Sequence, residues 1–191
     1  MSISIVMISL LVTFGLTTTS AQAEEQLSFR ATFGGTIVKT QFDTNSDGAP
    51  ANLNILEGNS NLGQFGLQVL DESVLAGPET CPNGHPGFSV TLVTGSSVFR
   101  FRRTGDLLFV RPTSQTTCFD PSTGVSFFRD AIGQVTGGTG QFANATGIIE
   151  GEGTAQVLLA DQAGHAFGAQ YGTITGTISL PPHTDQNRDD N

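Results

Sequence analysis

Arg100 and Arg102 alternate with Phe99 and Phe101, so an extended strand through this stretch sends two guanidinium groups to one face and two rings to the other. If the arginine face lines a cavity, the pair can grip a carboxylate in bidentate fashion. The same alternation sets Glu150 and Glu152 on one face, opposite Ile149, Gly151 and Gly153. The cost of burying charge favours the solvent side for both pairs, as cross-strand ion pairs or contacts between copies. Tyr171, the single tyrosine, opens the last apolar alternation and could offer its hydroxyl at a cavity mouth. Arg100, Arg102 and Tyr171 are therefore the ligand-binding candidates.

Asp43-Thr44-Asn45-Ser46-Asp47-Gly48 spaces three oxygen-bearing side chains, Asp43, Asn45 and Asp47, ahead of a glycine. A Ca²⁺ loop wraps its first ligands in this way. The ninth and twelfth positions are Ala51 and Asn54, so the bidentate acid that completes such a loop is missing, and the same residue types also make ordinary turns. Beyond Ca²⁺ at these three positions, no cofactor is indicated. His85 and His165 are the only histidines outside the C-terminal tail, both in turn-like contexts, which leaves no three-histidine metal site. The chain has no Gly-x-Ser-x-Gly elbow, and Gly137-Gly138-Thr139-Gly140 lacks the lysine of a phosphate loop. Glu57, Asp71 and Glu72 flank strand ends and are expected at the surface.

Residues Met1 to Ala23 carry no charge, hold an apolar stretch from Ile3 to Leu16, and end in Ala21-Gln22-Ala23 before Glu24-Glu25. That reads as a secretory signal with a small-x-small cleavage site, though without the usual basic start, and its apolar part is too short for a retained membrane span. The expected location is secreted or periplasmic. All 8 basic and all 17 acidic residues follow Ala23, so the mature chain keeps the net charge of -9. An acidic, lysine-poor surface excludes nucleic acid and anionic membranes as partners, because phosphate binding depends on Lys and Arg. Cys81 and Cys118 are the only cysteines, and an even count in an exported chain implies one disulfide.

The elements that must position these residues are strands. From Tyr171 to Leu180, Thr173, Thr175, Thr177 and Ser179 fall on one face and Ile174, Gly176, Ile178 and Leu180 on the other. Similar alternation predicts strands over Leu27–Thr40, Leu62–Glu72, Gly87–Thr94, Ser97–Arg103, Leu107–Pro112, Gly124–Thr136, Thr146–Ala160 and Ala166–Leu180, with Gly95-Ser96 as a hairpin turn. Asp43 to Asn61 and Ala76 to Pro86 read as loops. With frequent Gly and Thr and no long helical periodicity, the fold class is all-β, one domain over residues 24–180. The polar tail from Pro181 to Asn191 is expected to be disordered.

Val135 to Gly147 packs glycines at 137, 138, 140 and 147 around Phe142 between two strand-like segments. Glycine reaches positive φ without a Cβ clash, so the chain can reverse there and fold Phe142 back as a plug. This run resembles the Gly-Gly-[Ser/Thr]-Gly-x-Phe turn of the allene oxide cyclase-like barrels, a superfamily that includes the dirigent proteins. Asn61-Leu62-Gly63-Gln64-Phe65 and Thr104-Gly105-Asp106-Leu107-Leu108-Phe109 resemble two further motifs of that family in matching order. The resemblance implies an antiparallel eight-stranded closed barrel, often a homotrimer, with an apolar central cavity. In this family such a cavity holds a reactive hydrophobic intermediate. Its cyclases carry an acid in the first strand, whereas Phe29 to Phe42 has only Arg30 and Lys39 as charges, so cyclase activity and its catalytic positions are not carried over. The expected function is confinement of a hydrophobic small molecule. The alternatives are a cyclase or isomerase acting through an acid or Tyr171, and a structural barrel whose thirteen mature-chain phenylalanines fill the interior.

Overall fold

Side-chain alternation in the last strand comes out as read: Ile174, Ile178 and Leu180 are buried while Thr173, Thr175 and Thr177 are exposed. The computed structural model describes residues 24–43, 46, 48, 50–161 and 166–181. The expected signal segment, His165 and the tail beyond Pro181 lie outside the described residues. Eight strands form: β1 (Glu25–Lys39), β2 (Asn52–Ser60), β3 (Gly63–Thr80), β4 (Pro86–Phe101), β5 (Leu107–Asp120), β6 (Val125–Gly138), β7 (Thr146–Ala160) and β8 (Ala166–Leu180). Each pairs antiparallel with its sequence neighbour, and β1 also pairs with β8, so the sheet closes into a ring. The only helical element among the described residues is a single 3₁₀ turn, Gly140–Phe142.

Three sequence expectations need correction. The loop expected over Asp43 to Asn61 contains β2, which pairs along its whole length with both β1 and β3. Its inward residues Asn52 and Asn54 are polar while Leu53 and Ile55 face the other way, which inverts the pattern that marks a strand. The hairpin expected at Gly95-Ser96 is absent, because Gly87–Thr94 and Ser97–Arg103 belong largely to one strand, β4. There Glu72 of β3 pairs Thr94 and Ser73 pairs Leu92, leaving Val93 as a bulge. The bulge resets the alternation, so Val90 and Ser97 both face inward. Finally, β3 runs on through much of the loop expected from Ala76, and only residues 81–85 turn.

The ring is plugged at one end by aromatic side chains. Phe29, Phe65, Phe99, Phe101 and Phe142 are at most 2 % exposed, and the Phe101 and Phe142 rings lie 4.7 Å apart. Burying each ring contributes about 2 kcal/mol. The glycine-rich run delivers Phe142 to this plug: Gly140 sits at φ 54°, and a Cβ there would meet the Asp106 carboxylate. Thr139 locks the turn to the next hairpin, its N–H donating to the Leu107 carbonyl and its Oγ1 accepting from the Leu107 N–H, both at 2.9 Å. Two motifs distant in sequence thus close one end, which leaves the other for a cavity.

Candidate functional site

Beyond the plug the ring encloses a cavity of about 550 Å³. Its inner wall is apolar, from Phe33, Leu67, Phe99, Phe128, Ile149 and Ile174. Gly151 and Gly168 are on the lining; a Cβ at Gly151 would meet only ordinary contacts, so its absence leaves space there, whereas one at Gly168 would meet the Gln156 carbonyl oxygen. A volume of this size matches small-molecule sites, which are apolar with a few placed polar groups.

Ser97, Gln115, Thr117, Ser126 and Gln156 are among the polar residues on the lining, and a hydrogen-bonded polar cluster comes from β2 and β3. Asn52 of β2 pairs directly with Asp71 of β3, and Asn54 follows two residues along on the same inward face. Asn54 Nδ2 donates to Asp71 Oδ1 at 2.8 Å, Asn52 Nδ2 to Oδ2 at 3.2 Å, and Ser73 Oγ to Oδ2 at 3.4 Å. Asp71 is buried. Burial pushes its carboxyl above the usual range, against the weaker opposing pull of the bonds from Asn52, Asn54 and Ser73. A proton therefore stays on Asp71 to a higher pH than on an ordinary carboxyl. Gln170 of β8 lines the same cavity, and Lys39, the only cation on its lining among the described residues, is exposed.

A second polar cluster sits where the β3–β4 and β5–β6 turns meet. Cys81 and Cys118 are joined by a disulfide with their Cα atoms 5.5 Å apart, as expected from the paired count. Beside it the fully buried Asp120 accepts from Ser122 N (2.8 Å), Ser122 Oγ (2.6 Å), Thr123 Oγ1 (2.8 Å) and Asn83 Nδ2 (2.7 Å). His85 Nδ1 lies 2.9 Å from the same carboxylate. The Ser122 bond leads in holding the Asp120 carboxyl far below the usual range, helped by Thr123, Asn83 and His85 against the cost of burial. An ionised carboxylate only accepts, so His85 Nδ1 must carry the proton in this contact. Ser, His and Asp thus meet, but not as a nucleophilic triad. Ser122 Oγ approaches the same Nδ1 that faces Asp120, at 3.3 Å, rather than the far ring nitrogen a relay needs. The cluster is a clasp over two turns.

The ligand-binding candidates taken from the sequence fall elsewhere. Arg100 and Arg102 are exposed on the outer face, behind the inward Phe99 and Phe101, so a carboxylate grip inside the cavity is ruled out by strand alternation itself. Arg102 pairs instead with Glu57. Tyr171 is 64 % exposed on the outer face of β8 and does not line the cavity. Glu150 and Glu152 also face solvent. Asp43 is exposed and accepts from the Gly48 N–H at 2.8 Å, while Asn45 and Asp47 lie outside the described residues. No group of three or more His, Cys, Asp or Glu among the described residues could hold a metal ion. Asp71 and Glu72, expected at the surface, are both buried, because β3 continues past them into the wall of the ring. The signal that would have found Asp71 is its place opposite Asn52, which becomes visible only once β2 is known to be a strand.

No protein-family model and no curated protein sequence matches the chain. The solved structure of the pterocarpan synthase dirigent protein GePTS1 aligns with 90% of this chain and 94% of its own, at 11% identity and a TM-score of 0.25. No helix among the described residues is long and apolar enough to cross a membrane.

Proposed function

We propose that this protein binds a largely apolar small molecule in the cavity and restricts it to few conformations. The observation that carries the reading is an unfilled volume of about 550 Å³ beside a fully packed aromatic plug in the same ring. A barrel kept only for structure would fill both halves, since empty apolar volume forfeits packing contacts. Confinement of this kind lowers a barrier by selecting a near-attack conformer and excluding water. The ring closure and the plug turn support placing the fold with the allene oxide cyclase-like barrels that the sequence resembles. The disulfide supports an oxidising compartment, as the signal-like start does.

One observation favours a second reading, a cyclase or isomerase. Asp71 stands on the cavity wall with its acidity weakened by burial, as a proton donor to a bound carbonyl or alkene would.

Pyrene, a hydrocarbon whose emission bands report polarity, tests the first reading. It should move from a water-like to an apolar signal on mixing with the protein. Gly151→Leu adds volume on the cavity wall, and the Cβ itself meets only ordinary contacts, the nearest being Ala131 Cβ at 3.7 Å. The variant should fold and bind pyrene about 10-fold more weakly, equivalent to about 1.4 kcal/mol. Unchanged affinity would place the probe outside the cavity and end the proposal.

A further inference from the structure

Two residues that line the cavity each carry a buried acceptor without a donor among the described residues. Asn54 is 3 % exposed, and its Oδ1 has no hydrogen-bond partner among the described residues. Gln170 Oε1 is likewise buried and without a partner among the described residues. The orientation of Asn54 is fixed by its other end: Nδ2 faces two acceptors, Asp71 Oδ1 at 2.8 Å and the Val69 carbonyl at 3.4 Å. Turning the amide over would set Oδ1 against the Val69 carbonyl oxygen, which cannot donate. The two side chains occupy neighbouring rows of the ring. Asn54 pairs Ile37 of β1, which pairs Gly168, while the next row runs from Leu56 through Gly35 to Gln170. Gly35 puts no side chain between them. Buried polar groups are ordinarily satisfied, and two unsatisfied acceptors on residues that line an empty volume are a demand for donors from whatever enters it.

Resting on the cavity reading above, we propose that the site selects neutral ligands with an apolar body and a hydrogen-bond-donating head, a hydroxyl or an N–H, and that Asn54 and Gln170 read that head. A carboxylate has only acceptors to offer. It would set acceptor against acceptor at Asn54 Oδ1 and Gln170 Oε1, and the only cation on the lining among the described residues, Lys39, is exposed to screening by solvent. This reverses the expectation built on Arg100 and Arg102: the head group is a donor, not an anion.

The test displaces pyrene with three probes of matched length: 1,2-decanediol, its dimethyl ether and decanoate, at pH 7.5. The diol should bind at least about 10-fold more tightly than either of the others, since the ether and the carboxylate leave both acceptors unpaired. Gln170→Leu removes one acceptor at the less buried of the two positions. It should narrow the diol-to-ether ratio several-fold while pyrene binding persists. A ratio compares two ligands on one protein, so a loss of stability in the variant cancels from it, and Asn54→Leu is a second variant read in the same way. Equal binding of diol and ether, tighter binding of decanoate, or no displacement by the diol while pyrene still binds would each overturn the inference and leave the cavity reading standing. Failure of pyrene itself to bind would remove the cavity reading and this inference with it.

Discussion

Asp71 and Asp120 are both buried carboxyls on long strands of one sheet, yet their environments push them in opposite directions. Asp120 collects five donors at 2.6 to 2.9 Å, two of them from the backbone and hydroxyl of Ser122. Asp71 has three, two of which are stretched to 3.2 and 3.4 Å. Enough close donors replace the lost hydration of a carboxylate, whereas three loose ones do not. The difference separates a carboxylate saturated by its own chain from one that is not. A carboxylate whose acceptor capacity is fully used by its own chain holds two turns together. One that is under-supplied, on the wall of an empty apolar space, remains available to something else.

The clasp should therefore dominate stability and the cavity should not. Replacing both cysteines, Cys81→Ala with Cys118→Ala, should cost the most. The crosslink spans a sequence separation of 37 residues, and the chain-entropy argument for a loop of that size gives about 4 kcal/mol. Urea unfolding of the double variant against the oxidised wild type measures it. A loss under about 1 kcal/mol would mean that the Asp120 bonds alone hold the turns.

Asp120→Asn should rank next, with a smaller fall in the urea midpoint because the disulfide still ties the strands. Its pH dependence carries the sharper information. The folded carboxyl titrates below its unfolded counterpart, so Asp120 contributes stability above the unfolded value, near pH 4, that is lost as the pH falls toward the folded one. Wild type and Asp120→Asn should thus differ at pH 7 and converge on acidification. Parallel curves would show that the donors do not favour the ionised form.

The same contrast explains which parts of the molecule the sequence discloses. The plug was legible in Gly137 to Gly147 because positive φ at Gly140 and the close approach of Gly138 to the Leu107 carbonyl both require glycine, and that requirement leaves a local signature. Alternation in β8 was legible because one of its faces packs on the core. The cavity was not. Strand β2 hides because its inward face carries Asn52 and Asn54 where a packed interior would carry apolar residues, and Asp71 lies beside a bulge that breaks the alternation of β3 against β4. An interior lined by polar side chains violates the hydrophobic pattern by which interiors are found. Arg100 and Arg102 misled for the converse reason: their spacing is conspicuous, but Phe99 and Phe101 claim the inward face and send both arginines to solvent.

The smallest expected effect tests the cavity half of the comparison, through Asp71→Asn. Burial sets the folded acidity of Asp71 weaker than its unfolded acidity, so between the two values the folded protein holds a proton that the unfolded chain has released. Stability from this group is then fully present below the unfolded value near pH 4, and is lost as the pH rises through the folded one. The asparagine variant cannot ionise and has no such slope. Urea midpoints of both proteins from pH 4 to 8 should show the variant gaining on wild type as the pH rises, opposite in sign to the Asp120 pair and smaller, since the cavity opens to solvent and the asparagine loses part of the bonding from Asn52 and Asn54. Pyrene binding should be retained, because the apolar wall is untouched. A variant that instead loses ground on wild type as the pH rises would mean that the fold favours the ionised form of Asp71 as it does that of Asp120. Asp71 would then be a second structural carboxylate, and the proton-donor reading of the cavity would lose its only acid.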